Sequence, residues 1–172
     1  MRLKWMELVT AALALGGCQK VEPVIVDQAM KASIAPQAQA IWDVSNRGMD
    51  DNGYPDASKL SAADWDNLGK SAQAMKDTAA RLAGASKLVA APAGSKPTGG
   101  AATSEQIQAY IDADPEAFAE NAKKLAAISD QLVAAAKGRD AAKLMDAAGG
   151  LDAVCENCHI KFWYPEPPTA GQ

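Results

Sequence analysis

Leu144, Ala148, Leu151, Cys155, Cys158 and Phe162 follow one another at intervals of three and four residues, with His159 beside Cys158. That spacing brings side chains onto one face only on an α-helix, and the face is apolar enough to be buried. The stretch therefore commits the end of the chain to a helix whose inner side carries two thiols and the chain's single histidine. Elsewhere alanine dominates, Val and Ile are sparse, and apolar residues again recur at three and four rather than alternating, a composition that favours helix over strand. The expected fold is all-α.

Four long helices are read from these patterns. The first is expected from about Val24 to Arg47, after Pro23 and before Gly48, with Met30, Ile34, Ala38 and Ile41 inward and a kink at Pro36. The second is capped by Ser61 with Asp64 three residues on, carries Trp65, Leu68, Ala72, Met75, Ala79 and Leu82 inside, and ends at Gly84. A short helix from Ser104 to Ile111 precedes the third, which starts at Asp114-Pro115, buries Phe118, Leu125, Ile128 and Leu132, and stops at Gly138. The fourth runs from about Asp140 to Phe162, and prolines 165, 167 and 168 follow it. Ala91 to Gly100 reads as a surface loop, and Trp42 and Trp65 as core.

The first 17 residues carry Arg2 and Lys4, an apolar run from Leu8 to Leu15, then Gly16 and Gly17 before Cys18. About eight apolar residues are too few for a span that needs roughly twenty, so the segment reads as a signal peptide. Leu15-Gly16-Gly17-Cys18 resembles the bacterial lipobox, which implies cleavage before Cys18 and a lipid anchor on it. A free cysteine at an ordinary cleavage site is the plainer reading. The organisation expected is a signal peptide over 1–17, an anchored segment over 18–22, a helical domain over 23–164 and a Pro-rich tail over 165–172. Cleavage removes two basic residues and one acid from a chain of 172 with 17 basic and 21 acidic residues, leaving 155 residues with a formal charge of −5. That length suits one domain, and mild acidity without a basic cluster argues against nucleic acid as a partner.

Cys155-Glu156-Asn157-Cys158-His159 admits several chemistries. A structural zinc ion takes four ligands, and the mature chain has only these three plus the distant Cys18; a catalytic zinc accepts three, but no acid is placed as base. A redox couple of the thioredoxin type belongs to a βαβ setting that the helical pattern lacks. A plain disulfide remains open and leaves His159 without a role. Cys-x-x-Cys-His is also the attachment signature of c-type haem, with thioethers from the two thiols and the neighbouring imidazole on the iron.

That motif near the end of the last of four amphipathic helices, together with Phe162 and with Met30-Lys31 in the first helix, resembles the class II cytochromes c, cytochrome c prime and its low-spin relatives. The resemblance implies an up-down-up-down four-helix bundle, one covalent haem c on Cys155 and Cys158, His159 as proximal ligand, and Phe162 packed on the macrocycle. Trp163 stands four residues after the histidine, where cytochrome c prime often has a basic residue, and Val26 stands four before Met30, where it often has an arginine. Propionate contacts are not carried over.

Since His159 is the only histidine, bis-histidine ligation within one chain is excluded. Methionines remain. Met145 lies fourteen residues before His159 on the same helix, about 21 Å away along its axis. Met49 falls at the opposite end of the bundle, and Met75 is a second candidate two or three turns from the site. Met30 lies early in the first helix, where low-spin relatives place their axial methionine. Ligated, the iron is six-coordinate and suits a periplasmic single-electron carrier that docks redox partner proteins; otherwise the site is five-coordinate and open to nitric oxide or carbon monoxide. A non-haem helical domain with a disulfide is the third possibility. No acid pair or nucleophile constellation points to an enzyme. Gln19 after Cys18 carries no inner-membrane retention signal of the Asp type, so an outer-membrane anchor is expected, and a homodimer is possible from the family alone.

Overall fold

The computed structural model describes residues 22–95 and 102–164. The signal peptide, Cys18, the whole Pro-rich tail and the second half of the 91–100 loop lie outside them. The described chain begins with a two-residue strand β1 (Val24–Ile25), then a short helix α1 (Val26–Ala29), a π-helical turn (Met30–Ile34) and α2 (Ala35–Arg47). A 3₁₀ turn (Ala57–Lys59) leads to α3 (Ala62–Ala83), and β2 (Leu88–Val89), α4 (Ser104–Ala113), α5 (Pro115–Gly138) and α6 (Ala141–Phe162) complete the chain. α3 packs on α5, α5 on α6, α2 on α3 and, more sparsely, α2 on α6, the cyclic neighbour pattern of an up-down-up-down four-helix bundle.

Helix boundaries follow local chemistry. Ser61 and Asp64 form a reciprocal capping box at the start of α3, and the Asp64 carboxylate also accepts from Arg47 at 2.7 Å, tying the last turn of α2 to the first of α3. Asp114 and Asp140 cap α5 and α6 by accepting from Ala117 and Lys143 N–H groups. Thr103 and Gln106 make a second capping box on α4, which was legible in the sequence and was not read there. α5 ends at Gly138 as expected, but the left-handed residue that closes it is Arg139, at φ 49°.

Two expectations are corrected. The first helix is not continuous from Val24: residues 24–25 pair in parallel with Leu88–Val89, and the disturbance around Pro36 takes the form of a wide turn just upstream of it. Ile128 is half-buried rather than inside, because it lies over the bare backbone of Gly150, where an added Cβ would meet its Cδ1 at 2.9 Å. The expected stripe of α3 is buried throughout, from Trp65 to Leu82.

The core has two parts. The larger holds Ile41, Leu68, Met75, Leu132, Leu144 and Leu151. The smaller gathers Val26, Ala29, Leu82, Ile107, Ile111, Phe118 and Phe162 at the end of the bundle that α4 covers. Gln108 on α4 accepts from Ala90 N–H and donates to Leu88 carbonyl, locking the β1–β2 pair to that end. No described helix is long and apolar enough to cross a membrane.

Gly149 is exposed within α6 with open space where a Cβ would stand. Gly149→Ala is therefore expected to stabilise the fold by about 1 kcal/mol, whereas Gly150→Val should cost about 1–3 kcal/mol by crowding Ile128; urea unfolding compares them. Hydrogen bonds from Ser61 and then Arg47 hold Asp64 at about 2, below its ordinary 3.8. A depressed carboxylate stabilises above its unfolded pKa and loses that contribution as pH falls through the folded one. Asp64→Asn should thus be less stable than the parent at pH 7, with the gap closing between about pH 4 and pH 2 in the same unfolding assay.

Candidate haem site

The bundle is closed by tight packing between α3 and α5 and is looser between the first helix and α6. In that looser seam lies a cavity of about 450 Å³, within the range of small-molecule and cofactor sites. Its wall on the first helix runs from Val26 through Met30, Ile34 and Ala38 to Trp42. The facing wall is the last two turns of α6, with Val154, Cys155, Cys158, His159 and Phe162. α5 supplies Phe118, Ala122 and Leu125 between them, and Ile107 and Ile111 of α4 close one end.

The sequence motif arrives here because α6 is uninterrupted to Phe162. Cys155 and Cys158 are half-buried free thiols one turn apart. Residues three apart in a helix interior hold their Cβ atoms about 5–6 Å apart, beyond the roughly 4 Å of a disulfide, so an intramolecular bridge requires the helix to yield. Burial, and then the Asp152 charge for Cys155 and the Cys155 sulfur for Cys158, push both thiols up to about 11. At neutral pH neither is a thiolate, the form an exchange-active redox pair uses.

His159 is half-buried, and burial lowers its pKa, with the Glu156 charge acting in the opposite direction. Its ring is thus biased toward the neutral imidazole that binds metal. Trp163 and Tyr164 both donate their backbone N–H to the His159 carbonyl, at 2.8 and 2.7 Å, and their rings stand 6.3 and 5.8 Å from the imidazole, Tyr164 edge-on. Phe162 is buried and meets Phe118 in a T-shaped contact at 5.3 Å. Phe162 therefore braces α6 against α5 while bordering the cavity.

Met30 borders the same cavity from the opposite helix and touches both parts of the core. The other methionines are elsewhere. Met75 is fully buried in the larger core, Met145 accepts a hydrogen bond from the Ser45 hydroxyl at 3.2 Å, and Met49 bridges to Pro55 at the far end. Trp65 is core, but Trp42, expected there, is half-buried and part of the cavity wall. The contribution of α4 was not foreseen, although Ile107 and Ile111 stand four apart and so share a face.

A flat apolar macrocycle needs a dry slot, two thiols on one side of it and a nitrogen ligand adjacent to them. The cavity supplies an almost wholly apolar wall, the two cysteines one turn apart, and a neutral-leaning imidazole in the next position. The residues fit haem c. No curated protein and no solved structure matches the chain. The family model described as Cytochrome C' matches residues 71–163, more than half of the chain, running from α3 through the end of α6 and including the whole Cys155–His159 motif. The chain belongs to the cytochrome c' family and carries, like its members, covalently attached haem c.

Proposed function

We propose that this cytochrome is a single-electron carrier in which Cys155 and Cys158 bear the haem, His159 is one axial ligand and Met30 the other. The observation that carries the reading is the placement of Met30 and His159 on opposite helices of one cavity, while Met75 is buried in the larger core, Met145 is bonded to Ser45 and Met49 lies outside the cavity lining. Bound there, haem c supplies a one-electron couple whose potential depends on its axial ligands and on how dry its surroundings are.

The protein's own contribution is to hold those surroundings fixed. Val26, Ile34, Leu125 and Phe162 exclude water from the slot, and Phe162 is immobilised by Phe118. A thioether carries no proton to gain or lose, so electron transfer proceeds without a change in ligand protonation. Ile160 on α6 and Tyr164 just beyond its end at the cavity rim, both about half exposed, stand next to His159 and offer a small apolar contact for brief docking of a redox partner protein. Cys18, lipidated after removal of residues 1–17, would keep the carrier at the periplasmic face of a membrane, the outer membrane by the absence of aspartate at position 19. Cys18→Ser is expected to release the holoprotein into the soluble periplasmic fraction; continued membrane residence would remove the anchor from this reading.

The spectrum of the ferric holoprotein tests the ligand set. Low-spin absorption with a thioether-to-iron charge-transfer band in the far red, lost in Met30→Ala, is the expected result. A high-spin spectrum unchanged by that substitution, with ready uptake of carbon monoxide, would make the protein a binder of small gases instead. Ala38 is buried in the cavity wall, so Ala38→Phe should place a ring where the haem lies. The bundle is expected to fold, by circular dichroism, with a much smaller haem-loaded fraction.

A further inference from the structure

The π-helical turn lies at the residue assigned above as the sixth ligand. Its defining bond runs from Ala35 N–H to the Met30 carbonyl, five residues back, whereas Met30 N–H is shared between the carbonyls of Asp27 and Val26. Pro36 has no N–H and its ring crowds the preceding turn of a regular helix; the wider turn accommodates it where the α-helical ladder restarts.

The turn also corrects the phase of the helix. An α-helix rotates about 100° per residue, so a regular helix would carry Trp42 about 160° round from Val26, on nearly opposite sides. One extra residue in a turn takes up about 100° of that, leaving about 60°. Val26 and Trp42 do border the same cavity. Val26 and Ala29, which fall off the stripe of Ile34, Ala38 and Ile41 in a regular helix, are buried at 3% and 4% exposure. Met30, about 40° to one side of Ile34 in a regular helix, is carried to about 60° on the other side, where Ala38 and Trp42 also border the cavity.

One side-chain hydrogen bond fastens this turn to the rest of the bundle among the described residues. Ser33 Oγ and Thr78 Oγ1 stand 2.8 Å apart, with Thr78 buried on α3. The Lys31–Asp27 ion pair joins the turn only to α1, just before it on the same helix.

We infer that the π-turn, pinned to α3 by Ser33 and Thr78, is the device that presents Met30 to the haem iron, and that Ser33 and Thr78 are positioning residues for the sixth ligand. This rests on the assignment of Met30 made above. Loosening the pin frees the turn, weakens the thioether bond and opens the sixth position to exogenous ligands. Any loss of methionine ligation appears as an equal gain in apparent affinity for a competing ligand.

The test uses holoprotein with Thr78→Val, which keeps the side-chain shape, and with Ser33→Ala at the half-buried end of the pair. Three quantities are read: amide exchange across residues 31–35, the thioether-to-iron band of the ferric form, and carbon monoxide affinity of the ferrous form. Both variants should exchange faster in the turn, show a weaker band, and bind carbon monoxide about fivefold more tightly, the worth of one net hydrogen bond. In a Met30→Ala background Thr78→Val should leave carbon monoxide affinity unchanged. Faster exchange with an undiminished band, or the same affinity gain without Met30, overturns the inference while leaving the ligand assignment intact. A wild-type ferric protein without the band sinks the assignment itself, before any variant is made, and the inference with it.

Discussion

Close approach of α3 and α5 is the constraint on which the rest of this bundle depends. Ala72, Ala79 and Ala135 are wholly buried, Ala136 nearly so, and a Cβ on Gly69 would meet that of Ala136 at 3.6 Å. Small side chains let two helices come near enough for extensive contact, so this pair acts as a rigid spine. A four-helix bundle cannot be equally tight on all four sides and still admit a macrocycle. Here the α3–α5 side is tight and the slack is gathered between the first helix and α6, where the motif faces.

What the sequence made legible was periodicity and caps. α3 begins at its Ser61–Asp64 box and buries every residue of its stripe because nothing competes with helical packing over Ala62–Ala83. The motif was found for a similar reason: Cys155, Cys158 and His159 lie on an unbroken α6. The first helix was misread because one period was applied across a change of period. Met30, Ile34, Ala38 and Ile41 fit a regular stripe on paper, yet Val26 and Ala29 are buried ahead of them and belong to it only once the extra residue is counted. Pro36 announced a disturbance but not its kind. The β1–β2 pair was out of reach because two residues per strand show no alternation, and its partners lie some 64 residues apart in the chain, with β2 held in turn by Gln108 of α4.

Charge plays little part in the site and much at the periphery. The ion pairs from Arg47 to Asp64, Lys76 to Asp130 and Lys161 to Asp114 fasten helix ends and neighbouring helices at partly exposed positions, where water screens them and each contributes little. Inside the slot the effects are those of dryness. The same desolvation keeps both thiols protonated and biases His159 toward the neutral ring.

The two parts of the core meet along the walls of this slot. Ile34, Ala38 and Leu125 belong to the larger cluster, Val26, Leu82, Ile107 and Phe162 to the smaller, and all border the cavity, with Met30 touching both. A ligand that fills the slot therefore joins two apolar clusters that are otherwise linked mainly through the α3–α5 spine and Met30. Binding free energy of this sort adds directly to folding free energy when the unfolded chain cannot form the slot. Covalent attachment makes the haem c a permanent member of that core. The group that determines the chemistry then also closes the seam that the small-residue packing of α3 and α5 left open.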